Sequence, residues 1–81
     1  MPMKTVHVEY FAVLREFVGV AGETLTTDLA TPDALFAELR QRHSLPDVGR
    51  MKVAVNAEFA DWQTALHDGD TVVFIPPVAG G

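Results

Sequence analysis

Only one segment of this sequence has the pattern of a full-length α-helix, and that limit constrains the fold more than any other feature. Residues 31–33 (TPD) give a capping hydroxyl, a proline ring preset for the first helical turn and a carboxylate near the positive end of the helix dipole. Leu35, Phe36 and Leu39 follow at a spacing that forms one apolar stripe, and the helix is predicted to end near His43. One such helix can cover only one face of a β-sheet.

The rest of the chain has the features of β-strands. Apolar and polar residues alternate in residues 4–11 and 51–56, and in residues 23–29 the apolar Leu25 points to the face opposite that of its threonine neighbours. Residues 71–75 (TVVFI) are mostly β-branched, which is typical of a strand. A short extended piece is predicted around Phe59, and residues 12–18 are long enough for one or two helical turns. This order predicts an α+β fold of the ubiquitin-like β-grasp class, in which a mixed sheet of about five strands carries one main helix on one face.

Length and composition indicate a single small domain. A chain of 81 residues buries about 60–65% of its unfolded surface, which is too little to divide between two cores. We assign the β-grasp domain to residues 1–75 and an extended C-terminal tail to residues 76–81. The sequence has no apolar run long enough for a membrane span or a signal peptide, so a cytoplasmic location is expected.

The residue types that the chain lacks exclude several kinds of chemistry. It has no cysteine, which rules out a disulfide, a catalytic thiolate and a thiolate metal site. His7, His43 and His67 do not have the spacing of metal ligands, and no metal site is predicted. The net charge of −5 would be repelled by phosphate backbones, so nucleic acid is not an expected partner.

The sheet face away from the helix is predicted to be partly apolar. The alternation that directs Val6 and Val8 towards the helix directs a second apolar set to the opposite face. This set comprises Phe11, Ala54, Val73 and Ile75, with Phe59 as a further candidate. Loops and edge residues could cover it, but we favour a binding surface for another protein, because an apolar patch of this kind is unusual on a small monomer.

Two prolines end the last predicted strand and lead to a glycine pair. Pro76 and Pro77 cannot donate ladder hydrogen bonds, so they stop the strand and hold the following residues in an extended form. The residues from 76 to 81 reach at most about 20 Å, enough to carry a terminal carboxylate into a neighbouring protein. Gly80 and Gly81 lack a Cβ and therefore fit a narrow channel. Glycines are also common at frayed termini, and that explanation stays open here.

Four stretches of the sequence resemble the small, sulfur-carrying subunit of molybdopterin synthase. They are residues 8–16 (VEYFAVLRE), 54–56 (AVN), 68–70 (DGD) and 76–81 (PPVAGG). The likeness extends over nearly the whole chain, and the last stretch is the most specific. Ile75 departs from the aromatic residue that often precedes the two prolines in this family, which indicates a differently shaped partner pocket.

The resemblance implies a sulfur carrier in molybdenum cofactor biosynthesis. Gly81 is expected to be adenylated by an ATP-dependent, ubiquitin-activating-like enzyme and converted to a thiocarboxylate by a sulfur donor system. The carrier is then expected to dock on the large synthase subunit, in a heterotetramer of two large and two small subunits, and to donate sulfur to cyclic pyranopterin monophosphate. It is expected to bind no cofactor itself and to be a non-catalytic subunit that is active only with the large one.

By motif position, the resemblance assigns roles to two groups of residues. The tail that enters the partner's active site consists of Pro76, Pro77, Val78, Ala79 and Gly80, with Gly81 as the residue that reacts. The partner interface consists of Phe11, Phe59 and Ile75, which belong to the apolar set that the alternation exposes.

Two other functions stay open. A sulfur carrier for the thiazole of thiamine has the same fold and the same Gly-Gly end, but it resembles this sequence less in the Tyr-Phe-Ala and Pro-Pro-Val stretches. A ubiquitin-like modifier or a plain interaction module is the more distant alternative, in which Gly81 is joined to lysines or does not react.

Overall fold

The last strand of the chain lies at the centre of a five-stranded mixed sheet. The computed structural model describes residues 3–45 and 50–77. In chain order, the elements are β1 (Lys4–Tyr10), α1 (Val13–Val18), β2 (Gly22–Thr27), α2 (Pro32–His43), β3 (Lys52–Val55), β4 (Glu58–Ala60) and β5 (Thr71–Ile75). The strand order is β2-β1-β5-β3-β4, with β1 parallel to β5 and the other neighbours antiparallel. The predicted α+β architecture, with one main helix on a mixed sheet, is confirmed.

The helix α2 packs on one face of this sheet and forms the core with it. Leu35 and Leu39 are completely buried, and the Phe36 ring centroid lies 4.9 Å from that of Phe74 on β5. The sheet contributes the buried residues Val6, Val8, Tyr10, Val53, Val72 and Phe74. Full burial of an aliphatic or aromatic side chain contributes about 1.5–3 kcal/mol, so this layer is the main source of stability.

Both ends of α2 have the local chemistry that the sequence predicts. Thr31 is the N-cap, and its Oγ1 accepts a hydrogen bond from the backbone N–H of Ala34 at 3.2 Å. The helix ends after His43, where Ser44 takes a left-handed conformation with φ 53° and its backbone N–H donates to the carbonyl of Arg40. The predicted bounds of the main helix are therefore confirmed.

The segment between β4 and β5 is irregular, and Trp62 anchors it. The indole stacks on Phe74 with an interplanar angle of 13° and contacts Phe36 edge-on. The backbone carbonyl of Trp62 accepts a hydrogen bond from the N–H of Asp33 at 3.0 Å. Trp62 thus fixes the crossing segment to the first turn of α2.

Three strands are shorter or shifted relative to the predicted ranges. β1 ends at Tyr10 instead of Phe11, because Ala12 takes a positive φ of 50° and turns the chain towards α1. β2 begins at Gly22, where a Cβ would lie 2.5 Å from the carbonyl oxygen of Val8, and it ends at Thr27 instead of Leu29. The strand predicted for residues 51–56 is limited to 52–55.

The turn between β3 and β4 contains two non-glycine residues with positive φ. Asn56 has φ 52° and Ala57 has φ 71°, and the register pairs Val55 with Glu58 directly across them. Two successive positive φ angles are typical of a type I′ hairpin turn, which favours Asn-Gly because glycine has no Cβ to clash. Asn56 suits the turn, whereas Ala57 is strained in it.

Replacing Ala57 by glycine is therefore expected to stabilise the protein by about 0.5–1 kcal/mol, since the relief of left-handed strain exceeds the added entropy of the unfolded chain. Urea unfolding measures the change. Ala37 is the matched control, because it is exposed in the middle of α2, where Ala→Gly is expected to cost about 0.5–1 kcal/mol. Destabilisation by both substitutions would show that Ala57 is not strained.

Candidate functional site

The sheet face opposite α2, called here the open face, has two chemically different halves. On the three strands β5, β3 and β4, the register places Ala54 opposite both Phe59 and Val73, and it places Ile75 opposite Lys52. We call Ala54, Phe59, Val73 and Ile75 the apolar half. The corresponding residues of β1 and β2 form the polar half: Thr5, His7, Glu9, Thr24 and Thr26.

The apolar half is accessible at its centre and at its outer edge. Phe59 on the edge strand β4 is 73% exposed, and Val73 and Ile75 are partly exposed. Ala54 points to the open face as predicted, but it is only 8% exposed because strands flank it on both sides. The described loops do not cover Phe59, which favours a binding surface over a face closed by the protein's own loops.

Phe11 extends this surface beyond the end of β1. It is 55% exposed and follows Tyr10, which is paired with Phe74. Continuing that register by one residue brings Phe11 beside Ile75. Ile75 and Phe59 therefore share the open face, on opposite sides of β3, and Phe11 lies at the same end of the sheet as Ile75. Whether they contact another protein remains a prediction.

The polar half is held by short hydrogen bonds and faces solvent. His7 Nδ1 lies 3.1 Å from the hydroxyl of Thr24, and the carboxylate of Asp68 accepts a hydrogen bond from the backbone N–H of Thr5 at 2.7 Å. These contacts connect β1 to β2 and to the turn before β5. Among residues 3–45 and 50–77, no three His, Asp or Glu side chains gather closely enough to hold a metal ion.

The predicted tail begins at the border of the apolar half. Ile75 ends β5, and it is followed by Pro76, which is buried, and Pro77, which is exposed. Because β1 and β5 are parallel, Phe11 and the two prolines lie at the same end of the sheet. The four predicted tail residues that follow, Val78, Ala79, Gly80 and Gly81, lie outside the described residues.

In the described part of the chain, no helix is long and apolar enough to cross a membrane.

Lys52 is a charged residue of the open face, and its contact with another strand could not be predicted from the sequence. Its Cα is paired with that of Ile75, and its Nζ lies 5.4 Å from the centroid of the Phe59 ring. A lysine ammonium at this distance over an aromatic face makes a cation–π interaction. The alternation of residues 52–55 indicates that Lys52 and Ala54 share a face. It does not indicate that Lys52 lies over Phe59, because Phe59 belongs to another strand.

The two carboxylates with lowered pKa stabilise the frame of the fold. Glu23 accepts hydrogen bonds from the Tyr10 hydroxyl and from His43 Nε2, the latter at 2.8 Å. Burial raises the pKa of Glu23, but these two hydrogen bonds and the charges of His43 and Arg42 outweigh it and hold the pKa below its ordinary value. Burial and the same carboxylate raise the pKa of Tyr10. The cluster connects β1, β2 and the end of α2.

The second carboxylate, Asp70, fastens two turns to each other. It accepts hydrogen bonds from the backbone N–H of His67 and from the side-chain amide of Asn56, both at 2.8 Å. Burial raises the pKa of Asp70, but these donors and the nearby His67 lower it by more. Asn56 Oδ1 in turn accepts from the N–H of Thr71 at 3.0 Å. Asp68 and Asp70, on either side of Gly69, therefore stabilise the turns by accepting hydrogen bonds.

This architecture is that of the ubiquitin-like β-grasp class of proteins, and comparison with known proteins specifies the family. The model of the ThiS family matches residues 8–81. The molybdopterin synthase sulfur carrier subunit of Haemophilus influenzae is 34% identical over 79 residues, covering 93% of this chain and 98% of that protein. The Escherichia coli subunit of the same name is 36% identical over 80 residues, covering 94% of this chain and 99% of that protein. The chain belongs to the ThiS family of ubiquitin-like β-grasp sulfur carriers.

Solved structures show the same fold over nearly the whole chain. Molybdopterin converting factor subunit 1 of Pyrococcus furiosus has a TM-score of 0.76 and 30% identity, covering 93% of this chain and 99% of that one. The complex of subunits 1 and 2 of the molybdopterin-converting factor of Helicobacter pylori gives a TM-score of 0.64 and 29% identity, with coverage of 95% and 99%. Small archaeal modifier protein 1 of Haloferax volcanii has a TM-score of 0.72 and 28% identity, covering 95% of this chain and 99% of that one.

The lowered pKa values of Glu23 and Asp70 predict acid destabilisation. A lowered pKa in the folded state adds stability that is present above the ordinary values of 4.5 and 3.8 and is lost as the pH falls through the folded pKa values. The free energy of unfolding in urea is therefore expected to fall as the pH drops below about 4.5.

Glu23→Gln is the variant that separates the two contributions, because it keeps an acceptor for Tyr10 and His43 but cannot titrate. It is expected to be less stable than the wild type at pH 7 and to lose less stability on acidification. An identical pH dependence of both proteins would show that Glu23 contributes no pH-dependent stability.

Proposed function

We propose that this protein is the sulfur carrier of molybdopterin synthase and that the sulfur is carried as a thiocarboxylate on Gly81. The observation that carries the proposal is the match to the ThiS family through Gly81 itself, together with relatives named as molybdopterin synthase sulfur carrier subunits that are matched over nearly their full length. The position of Pro76 and Pro77 directly after the central strand supports it, because the strand that they end contributes Val73 and Ile75 to the apolar half.

The carboxylate of Gly81 needs activation before it can accept sulfur. At neutral pH, a terminal carboxylate, with an ordinary pKa of about 3.5, is an anion whose oxygen does not leave. In the proposed reaction, one carboxylate oxygen attacks the α-phosphorus of ATP and pyrophosphate leaves. A sulfur nucleophile at the oxidation level of sulfide then attacks the carbonyl carbon, AMP leaves with the oxygen, and the sulfur loses its proton. The product is a thiocarboxylate.

The activating machinery in this proposal belongs to other proteins. ATP is bound by a ubiquitin-activating-like adenylyltransferase, and sulfur comes from a separate donor system. This chain supplies the carbonyl and a fold that presents it, and it binds no cofactor. The lack of cysteine in the sequence supports the scheme, because no thiol of the same chain can intercept the acyl-adenylate.

The apolar half of the open face, with Phe11, is proposed to dock on the large synthase subunit. The complex of subunits 1 and 2 of the Helicobacter pylori factor supports a partner of this kind, because one chain of that complex shares the fold over 95% of this sequence. Docking would bring the tail into the active site of the large subunit. There, the thiocarboxylate sulfur attacks a carbon of cyclic pyranopterin monophosphate, the bond from that carbon to an oxygen substituent breaks and the oxygen leaves. Water then attacks the acyl carbon of the resulting thioester, which leaves the sulfur on the pterin and restores the carboxylate.

A ubiquitin-like modifier is the second candidate function, and the similarity to small archaeal modifier protein 1 favours it. In that case, a lysine amine attacks the activated Gly81 carbonyl and forms an isopeptide bond. The carrier for the thiazole of thiamine is less well supported, because the curated relatives described above are molybdopterin synthase subunits.

Deletion of Gly81 tests the proposed site of reaction. After incubation with ATP, the activating enzyme and a sulfur donor, the wild-type protein is expected to gain the mass difference between one sulfur and one oxygen atom, localised to the C-terminal peptide. The deletion variant is expected to unfold at the same temperature, because its core is intact, and to gain no sulfur. Intact mass spectrometry measures both, and sulfur on the deletion variant would exclude Gly81 as the carrier site.

Phe59→Asp tests the docking surface. Because Phe59 is 73% exposed, the change leaves the core intact, yet it is expected to weaken binding to the large subunit by about 2–4 kcal/mol, as for a central aromatic anchor. Met3→Asp is the control: Met3 is 59% exposed and precedes β1, at the end of the sheet away from the tail, and the expected change is below about 0.5 kcal/mol. Isothermal titration calorimetry measures both, and equal affinities of Phe59→Asp and wild type would remove Phe59 from the interface.

A further inference from the structure

The part of the open face formed by β3, β4 and β5 has a single cationic side chain in the described strands, at the start of β3. In the described strands β3, β4 and β5, the side chains that the register turns to this face are Thr71, Val73, Ile75, Lys52, Ala54 and Phe59. Of these, only Lys52 is charged. It stands between Ile75 on one side and Phe59 on the other, which are two of the three proposed interface residues.

Lys52 is held over this surface without a carboxylate partner among the described residues. The ion pairs of the described chain are Arg42–Glu38, His43–Glu23 and His67–Asp70, and none includes Lys52. Its Nζ instead lies 5.4 Å from the Phe59 ring centroid. On the same face, the carboxylate of Glu9 is on β1, which β5 separates from β3.

A partner that covers Phe59 and Ile75 also covers Lys52. Removing a lysine ammonium from water is unfavourable unless an opposite charge and hydrogen-bond acceptors replace the lost hydration. Lys52 and Phe59 form the open-face rim of a pocket of about 300 Å³. Its other lining residues include Val53, Ala60 and Trp62, which belong to the α2 side of the sheet, so the pocket opens at the edge formed by β3 and β4. An apolar pocket with an ammonium at its rim suits a side chain with an aliphatic stem and a terminal carboxylate.

We propose that Lys52 determines the specificity of this surface by pairing with an aspartate or glutamate of the large synthase subunit. The inference rests on the proposed docking of the apolar half and adds the chemistry that the partner must present. The carrier has a net charge of −5, so long-range attraction favours basic partners in general. A carboxylate opposite Lys52 would run against this general preference for basic partners. It would fix how the two proteins align, and partners with only apolar or basic groups opposite Lys52 would bind less tightly.

Three variants of the full-length chain test the pairing by calorimetry against the cognate large subunit. Lys52→Glu is expected to weaken binding by more than about tenfold, because two carboxylates would face each other. Lys52→Met keeps the apolar stem and is also expected to weaken binding about tenfold, because the partner's carboxylate loses its counter-charge. Arg42→Glu makes the same change in net charge on α2, behind the open face, and is expected to alter the affinity by less than about twofold.

A zero-length carbodiimide cross-link identifies the partner group. In the wild-type complex, mass spectrometry is expected to find an amide between Lys52 and one aspartate or glutamate of the large subunit. Reversing that carboxylate to lysine is expected to restore the binding of Lys52→Glu. Wild-type affinity of Lys52→Met, or tighter binding, would overturn the inference while leaving the docking surface intact. Failure of the wild-type chain to bind the large subunit would instead remove the proposed function and the inference with it.

Discussion

The structure depends on one constraint: a single helix covers a single face of a five-stranded sheet. Leu35 and Leu39 close the core on that face, and the chain has no second long helix in the described residues to cover the other. The central position of β5 follows from the parallel pairing with β1. As a result, the last strand of the core also contributes Val73 and Ile75 to the exposed apolar half, and Pro76 and Pro77 follow directly after it.

This arrangement suits the proposed function, in which the chain takes part in a reaction that other proteins catalyse. The stable part of the molecule is the layer between α2 and the sheet, and the polar clusters around Glu23 and Asp70 join its strands, helix and turns. The apolar half lies on the opposite side, so the proposed partner would bind there without disturbing the core. In the proposed function, recognition by the partner is assigned to the apolar half and the reaction to Gly81, so the two tasks fall on different parts of the chain.

The strands, the main helix and the faces that they expose could be predicted from the sequence, because each follows from a local pattern. Thr31 and the alternation around Val6 and Val53 are examples. The strand ends could not be predicted, since they depend on backbone angles such as the positive φ of Ala12. The pairing of Glu23 with Tyr10 and His43 and the position of Lys52 over Phe59 were also missed, because these side chains meet only after the sheet has formed.

A single turnover with isolated components tests the central claim most directly. Thiocarboxylated protein, freed of ATP and the activating enzyme, is mixed with the large subunit and cyclic pyranopterin monophosphate, and the intact mass of the small chain is followed. A sulfur carrier is predicted to return to the carboxylate mass while the pterin gains sulfur. A thiocarboxylate that persists beside an active large subunit, or a small chain joined by an isopeptide bond to lysines, would contradict the account, and the second result would favour a modifier.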